Sequence, residues 1–156
     1  LIKMYYKNGE LIQLQNAGEY SHTAIKVKGG WMHAHPYRGV EIVKDFAEMA
    51  PGKIEAQIFI NNLIPEVKAS FIKKYLGRPY DSNFSWSDDK IYCSELVAKA
   101  LGIEPTPMSF DDELWGSRMS HRRADVGLSP DDLVDPLLSK GFNMFFCSDI
   151  FIGILP

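Results

Sequence analysis

The feature that most constrains the fold is the segment from Tyr20 to His35, which reads YSHTAIKVKGGWMHAH. Its first half is rich in aromatic and β-branched residues, which favour extended backbone. Gly29 and Gly30 then supply a tight turn into WMHAH. Two strand-forming runs separated by a Gly-Gly turn predict a β-hairpin, and therefore an antiparallel pair of strands near the start of the fold.

Further strands are predicted on both sides of this hairpin. The candidates are KMYYKNGELIQLQ near the start, with a turn at Asn8-Gly9, then Gly39–Val43, Lys53–Ile60, and the closing runs FNMFF and IFIGIL. The Lys53–Ile60 segment alternates polar and apolar residues, as a half-buried strand does.

Three helices are predicted between and after these strands. The first runs from Pro65 towards Gly77, where apolar residues recur at helical spacing, and the second covers Cys93–Leu101 and is closed by Gly102. The third has Ser129 as its N-cap and ends near Gly141. Strands come first, helices gather in the middle and a strand closes the chain, so the sequence predicts an α+β fold.

Composition narrows the class of protein further. The 156 residues are enough for one domain, which we expect to span residues 1–156. The hydrophobic fraction of 46% and charged fraction of 24% are those of a soluble globular protein. A formal net charge of -3 does not favour nucleic acid or acidic lipid, and no apolar run is long enough to insert stably in a membrane. Two cysteines are too few for a disulfide framework.

Cys93 stands where a charged loop, DDKIYCSELV, turns into the predicted second helix. A thiol at a helix N-terminus lies near unpaired N–H groups and the positive end of the helix dipole, which favour the nucleophilic thiolate. The alternative is a buried cysteine that packs as a small hydrophobe. Cys147 is most simply such a packed thiol.

A nucleophilic cysteine needs a base, and three of the four histidines lie in the hairpin. On paired strands His22 and His33 could lie opposite each other, as a base and its orienting partner. Two alternatives remain open at this point: a three-histidine metal site that adds His35, or ordinary hydrogen-bonded strand residues. His121 falls in a polar loop and is interpreted as solvated.

One long block carries a family resemblance. LGRPYDSNFSWSDDKIYCSELV (Leu76–Val97), together with EYSHTAIKV and GVEIVKDF, resembles the YaeF/YiiX family of circularly permuted papain-like amidases, relatives of the NlpC-type cell-wall peptidases. The resemblance implies a permuted papain-like fold in which an antiparallel sheet or partial barrel packs against helices. It also implies a cysteine amidase or peptidase that needs no cofactor.

The resemblance also implies roles for particular residues. Cys93 falls on the nucleophile, His22 on the general base, and His33 on the third polar position, where the nearer relatives carry glutamate. Tyr80 falls on the tyrosine that helps line the oxyanion site. On these grounds we expect Cys93 to be acidic and exposed.

Further expectations concern the substrate contacts, the substrate and the location. Asp88, Asp89 and Trp86 are candidate substrate contacts, and Trp115 is a candidate cleft residue. The substrate is expected to be a small peptide or amide, with peptidoglycan fragments as one class. A periplasmic or secreted location would follow from a signal peptide lost upstream of Leu1, with the cytoplasm left open. The competing functions are a lecithin:retinol acyltransferase-like acyltransferase or lipid hydrolase, and a non-catalytic binding module or zinc protein.

Overall fold

The computed structural model describes residues 2–7, 20–45, 54–108 and 125–147, with the backbone alone for 2–7, 54–56 and 146–147. Within these residues, eight strands and three α-helices follow one another. The strands are β1 (Ile2–Lys7), β2 (His22–Val27), β3 (Gly30–His35), β4 (Gly39–Val43), β5 (Ile54–Ile60), β6 (Thr106–Pro107), β7 (Val126–Gly127) and β8 (Asn143–Cys147). The helices are α1 (Ala69–Tyr75), α2 (Cys93–Leu101) and α3 (Val134–Ser139), and a 3₁₀ turn at Asp131–Leu133 precedes α3.

Six strands form one sheet in the order β4-β3-β2-β1-β5-β8, and every neighbouring pair is antiparallel. The predicted α+β class and antiparallel sheet are therefore confirmed. Within the described residues the sheet does not close into a barrel, since β4 and β8 form its two edges. β6 and β7 make a separate two-stranded ribbon.

The predicted hairpin is the β2–β3 pair, and its turn depends on glycine. Gly29 has a φ of 98°, in the region that side chains disfavour. A β-carbon on Gly30 would lie 2.2 Å from the carbonyl oxygen of Val43 in β4. The turn and the close approach of β3 to β4 thus both require glycine at these positions.

The helix α2 has the predicted bounds. Its N-terminus is fixed by Glu95, whose carboxylate accepts the backbone N–H groups of Tyr92 (3.2 Å) and Ser87 (3.1 Å). It ends at Gly102, which adopts the left-handed conformation with a φ of 67°. Because Tyr92 is the N-cap, Cys93 is the first residue of the helix.

The prediction was wrong about the start of α1, which begins at Ala69 rather than near Pro65. Its N-cap, Lys68, has extended backbone, with a φ of -64° and a ψ of 142°. Ile64 and Val67 pack against the apolar core from the non-helical segment before it. These two side chains reach the core from this non-helical segment and do not need a helix. The apolar spacing therefore overestimated the length of α1.

The third predicted helix is divided in two. Ser129 Oγ accepts the N–H of Asp132 at 3.2 Å, as a capping residue does, but the turn that follows is 3₁₀ and becomes α-helical only at Val134. The predicted turn at Asn8-Gly9 and the closing strand IFIGIL lie outside the described residues.

One apolar core joins the sheet to the helices. It contains Ile25, Met32 and Phe59 from the sheet and Leu96 and Val97 from α2, all of them buried. Each fully buried side chain of this size contributes roughly 1.5–3 kcal/mol through the hydrophobic effect. The packing fixes the N-terminus of α2 against β2 and β3. Among the helices that the structure describes, none is long and apolar enough to cross a lipid bilayer.

Candidate active site

Cys93 lies at the start of α2 and is buried, with 5% of its surface exposed. Its sulfur accepts hydrogen bonds from the backbone N–H groups of Thr23 and Ser94. Thr23 directly follows His22, so the contact brings the thiol to the beginning of β2.

Burial raises the pKa of Cys93 to about 11, against the lowering effect of these N–H groups. The expectation of an acidic, exposed thiol is therefore wrong for the resting protein. The reason is desolvation. A thiolate that is removed from water loses more hydration free energy than hydrogen bonds from a few N–H groups at a helix N-terminus can replace. In this environment Cys93 is a neutral thiol at pH 7.

Four side chains form a continuous hydrogen-bonded chain across β2, β3 and β4. His22 Nε2 lies 2.8 Å from His33 Nδ1, and His33 Nε2 lies 2.9 Å from Glu41 Oε1. Arg38 then donates from Nε to Glu41 Oε2 (2.8 Å) and from Nη2 to Glu41 Oε1 (2.7 Å). We call this group the histidine relay: His22, His33, Glu41 and Arg38.

The strand register explains how the relay assembles. His33 is paired directly with Glu41 across β3 and β4. In the β2–β3 pair Ile25 faces Met32, so His22 is the diagonal neighbour of His33 rather than its direct partner as predicted. Directly paired and diagonal neighbours on one face of a sheet are both within reach of long or aromatic side chains.

The ionisation states in the relay fix where its protons lie. Hydrogen bonding from Arg38, and more weakly from His33, lowers the pKa of Glu41, which is a carboxylate and can only accept. Burial lowers the pKa of His33 to about 4, so its ring is neutral near pH 7. His33 must then donate from Nε2 to Glu41 and accept at Nδ1. It follows that His22 donates from Nε2, and neutral His22 carries no proton on Nδ1, which makes Nδ1 its basic atom.

Next to Cys93 lies a cavity of about 160 Å³. Its wall includes Tyr80, Ser21 and the apolar side chains of Phe84 and Leu128. Tyr80 belongs to a short bridge with Ile91, two residues before the cysteine. Burial is the main cause that raises the pKa of Tyr80 well above its ordinary value, and the nearby Cys93 is the second cause. The Tyr80 hydroxyl is therefore a neutral hydrogen-bond donor. Cys93 and Tyr80 are thus brought together as predicted from the resemblance, although their roles remain predictions.

Leu128, in the part of the cavity wall that follows β7, is attached to the start of α2 and to its N-cap residue by two hydrogen bonds. Ser94 Oγ donates to the carbonyl of Leu128 (2.5 Å), and the N–H of Leu128 donates to the Tyr92 hydroxyl (3.1 Å). Gly127 allows this approach, because a β-carbon there would lie 2.2 Å from Met108 Sδ and 2.6 Å from the Tyr92 hydroxyl. The segment after β7 is therefore held against the residues that flank the thiol.

None of the three candidate substrate contacts is among the residues that line this cavity, although the Trp86 ring packs edge-on against Tyr92, which does line it. Asp88 accepts hydrogen bonds from Lys74 (2.8 Å), the Tyr75 hydroxyl (2.7 Å) and Lys99 (3.0 Å), which lower its pKa. Asp89 is exposed, and Trp86 packs against the core below Lys99. Asp88 is paired with Lys74 and Lys99, which are 14 and 11 positions away in the sequence. No local sequence pattern predicts this pairing.

The geometry does not fit the three-histidine metal site. Both ring nitrogens of His33 are engaged within the relay, and His35 Nδ1 accepts the N–H groups of Tyr37 and Arg38, each at 3.1 Å. In the part of the chain that the structure describes, no group of three His, Cys, Asp or Glu side chains is arranged to hold a metal ion.

Sequence reasoning missed Glu41 and Arg38. The sequence predicts a strand at Gly39–Val43. A strand next to the hairpin presents alternate residues to the face that carries the histidines, so the pairing register is the signal that leads to Glu41. His121, Trp115 and the side chain of Cys147 lie outside the described residues.

Hydrogen-bonded histidines on an antiparallel sheet lie near a cysteine that begins a helix. This arrangement is typical of papain-like cysteine enzymes. Family comparison agrees with this class: the model of the permuted papain-like amidase enzymes, YaeF/YiiX, matches residues 5–109. The chain belongs to this family.

Two relatives come from Escherichia coli. The uncharacterized protein YiiX is 36% identical over 104 residues, which cover 59% of this chain and 52% of YiiX, so the chain spans about half the length of that relative. A crystal structure described as the metalloprotein YiiX superimposes with a TM-score of 0.65 at 24% identity, over 95% of each chain. That similarity concerns the fold.

Proposed function

We propose that this protein is a cysteine hydrolase that cleaves an amide bond through a thioester on Cys93. The observation that carries the proposal is the histidine relay, which ends on His22, one residue before the Thr23 N–H that contacts the Cys93 sulfur. A base whose proton is directed by a second histidine and a carboxylate is the arrangement that nucleophilic catalysis requires.

The neutral thiol defines how the first step must proceed. Because the pKa of Cys93 is about 11, little thiolate exists at neutral pH, and the proton has to leave as the sulfur attacks. His22 Nδ1 takes that proton while the sulfur bonds to the carbonyl carbon. The C–N bond then breaks, His22 returns the proton to the leaving amine, and water hydrolyses the thioester with His22 as base.

The negative charge that develops on the carbonyl oxygen needs donors. The backbone N–H of Cys93, at the start of α2, and the hydroxyl of Tyr80 are the proposed pair. The high pKa of Tyr80 keeps its proton in place for this purpose. A single donor of this kind is typically worth about 3 kcal/mol of transition-state stabilisation.

The proposed substrates are small peptides, with peptidoglycan fragments as the first to test. An enzyme for such peptides works in the cell envelope, so a periplasmic or secreted location is part of the proposal. The family description as amidases supports the reaction class.

The test is a screen of peptidoglycan fragments, N-acyl amines and phospholipids with intact-mass detection of an acyl adduct. The expected result is amide turnover, with a thioester on Cys93 that is absent from Cys93→Ala. Turnover of phospholipid esters without any amide cleavage would favour the acyltransferase-like alternative. Turnover that persists in Cys93→Ala would refute the thiol mechanism.

A further inference from the structure

The hydroxyl of Ser21 is buried on the wall of the Cys93 cavity and has no hydrogen-bond partner among the described residues. Burying a hydroxyl without a hydrogen-bond partner destabilises a folded protein. Native structures therefore seldom leave such a group unsatisfied, and an exception needs an explanation.

Three other hydroxyls around the cavity differ from Ser21, because each has a hydrogen-bond partner within the protein. Ser94 donates to the carbonyl of Leu128, Ser129 accepts the N–H of Asp132, and the Tyr92 hydroxyl accepts the N–H of Leu128. Each of these groups stabilises the protein itself. Ser21 lacks such an internal role within the described structure.

The backbone on both sides of Ser21 is held in place. The N–H of Tyr20 donates to Asp131 Oδ1 at 3.0 Å, and the ring of His22 is hydrogen-bonded to His33 at 2.8 Å. Ser21 therefore lies in a fixed segment of the cavity wall. A group ordered before binding loses little entropy when a ligand contacts it.

We propose that the Ser21 hydroxyl binds the substrate by donating a hydrogen bond to a polar oxygen of the acyl group. This inference rests on the proposed function, because the substrate must enter the cavity that contains Cys93. The cavity of about 160 Å³ is small, so an acyl group that reaches the thiol also passes Ser21. The ligand class is a peptide-like acyl group with a carbonyl oxygen besides the one that is attacked.

The experiment compares two thiol probes on the full chain. One is an N-acetyl-alanine chloromethyl ketone, which carries peptide-like carbonyls, and the other is methyl methanethiosulfonate, which carries none. In Ser21→Ala the second-order rate of Cys93 labelling by the ketone is expected to fall about tenfold, while labelling by the thiosulfonate changes less than twofold. The control is Ser70→Ala, an exposed serine at the start of α1, which should change neither rate.

Thermal unfolding supplies a second readout. Removing a hydroxyl without a partner should leave the melting temperature of Ser21→Ala unchanged or raise it. Equal ketone labelling in Ser21→Ala and the unaltered protein, or a melting temperature lowered by several degrees, would overturn the assignment. Failure of the ketone to label Cys93 in the unaltered protein, where the thiosulfonate does label it, would instead overturn the proposed function.

Discussion

Replacing Glu41 by glutamine tests the relay at its most informative position. Glu41 is an ionised acceptor, and it obliges His33 to carry its proton on Nε2. The introduced amide keeps the size of the side chain but adds an NH₂ group. When that group faces His33, it donates to Nε2 and the proton of His33 moves to Nδ1. His22 must then accept at Nε2 and carry its own proton on Nδ1, where it can no longer act as the base.

The size of the activity loss depends on the fraction of molecules in which the tautomers of His33 and His22 are reversed. The two contacts of the relay, 2.8 Å and 2.9 Å, transmit a single proton order from Glu41 to His22. Loss of the tautomer-fixing carboxylate in a serine-protease triad lowers kcat about 10⁴-fold. Here the effect passes through one additional ring, and the amide can also present its oxygen, so we expect a loss of about 10²-fold in kcat/KM.

Two measurements make the reasoning refutable. The first is amide turnover of Glu41→Gln, and the second is the nitrogen chemical shift pattern of the His22 and His33 rings, which reports the tautomer directly. The matched control is Arg38→Gln, which keeps the carboxylate and should lose far less activity. Full activity in Glu41→Gln, or a reversed tautomer in both rings with unchanged kcat/KM, would show that proton order in the relay does not govern catalysis.

Three further outcomes are expected. His33→Ala should lose about 10²-fold or more in activity, whereas His35→Ala should have a small effect; equal losses accompanied by release of bound zinc would restore the metal site. Burial lowers the pKa of His33 from 6.5 to about 4, so protonation of His33 destabilises the folded state. The free energy of unfolding should therefore be unaffected by this group above pH 6.5 and should fall by up to about 3 kcal/mol as the pH drops from 6.5 to below 4. His33→Phe should flatten this part of the stability profile in chemical denaturation, and an unchanged profile would contradict the assigned pKa. Alkylation of Cys93 by iodoacetamide, followed on its peptide by mass spectrometry, should rise about tenfold per pH unit up to pH 10, and a plateau below pH 7 would reveal a thiolate paired with His22.

The sequence alone determined the local architecture and the class of the protein. Gly29-Gly30 between two β-branched and aromatic runs specified the β2–β3 hairpin, and Gly102 specified the end of α2. These are interactions between near neighbours in the chain, which sequence patterns report well. The cysteine block and the histidine spacing were enough for the family, and the family comparison agreed.

The tertiary structure decided the ionisation and the connections of the site. Cys93 is neutral because α2 packs against β2, a strand about 70 positions earlier in the chain, and this packing removes the sulfur from water. Glu41 joins the relay only because the β3–β4 register places it opposite His33, and a shift of one residue would turn it to the other face. Asp88 is paired with Lys74 and Lys99, which come next to it only through folding. Charge, burial and register are properties of the packed chain, so no reading of a local pattern could supply them.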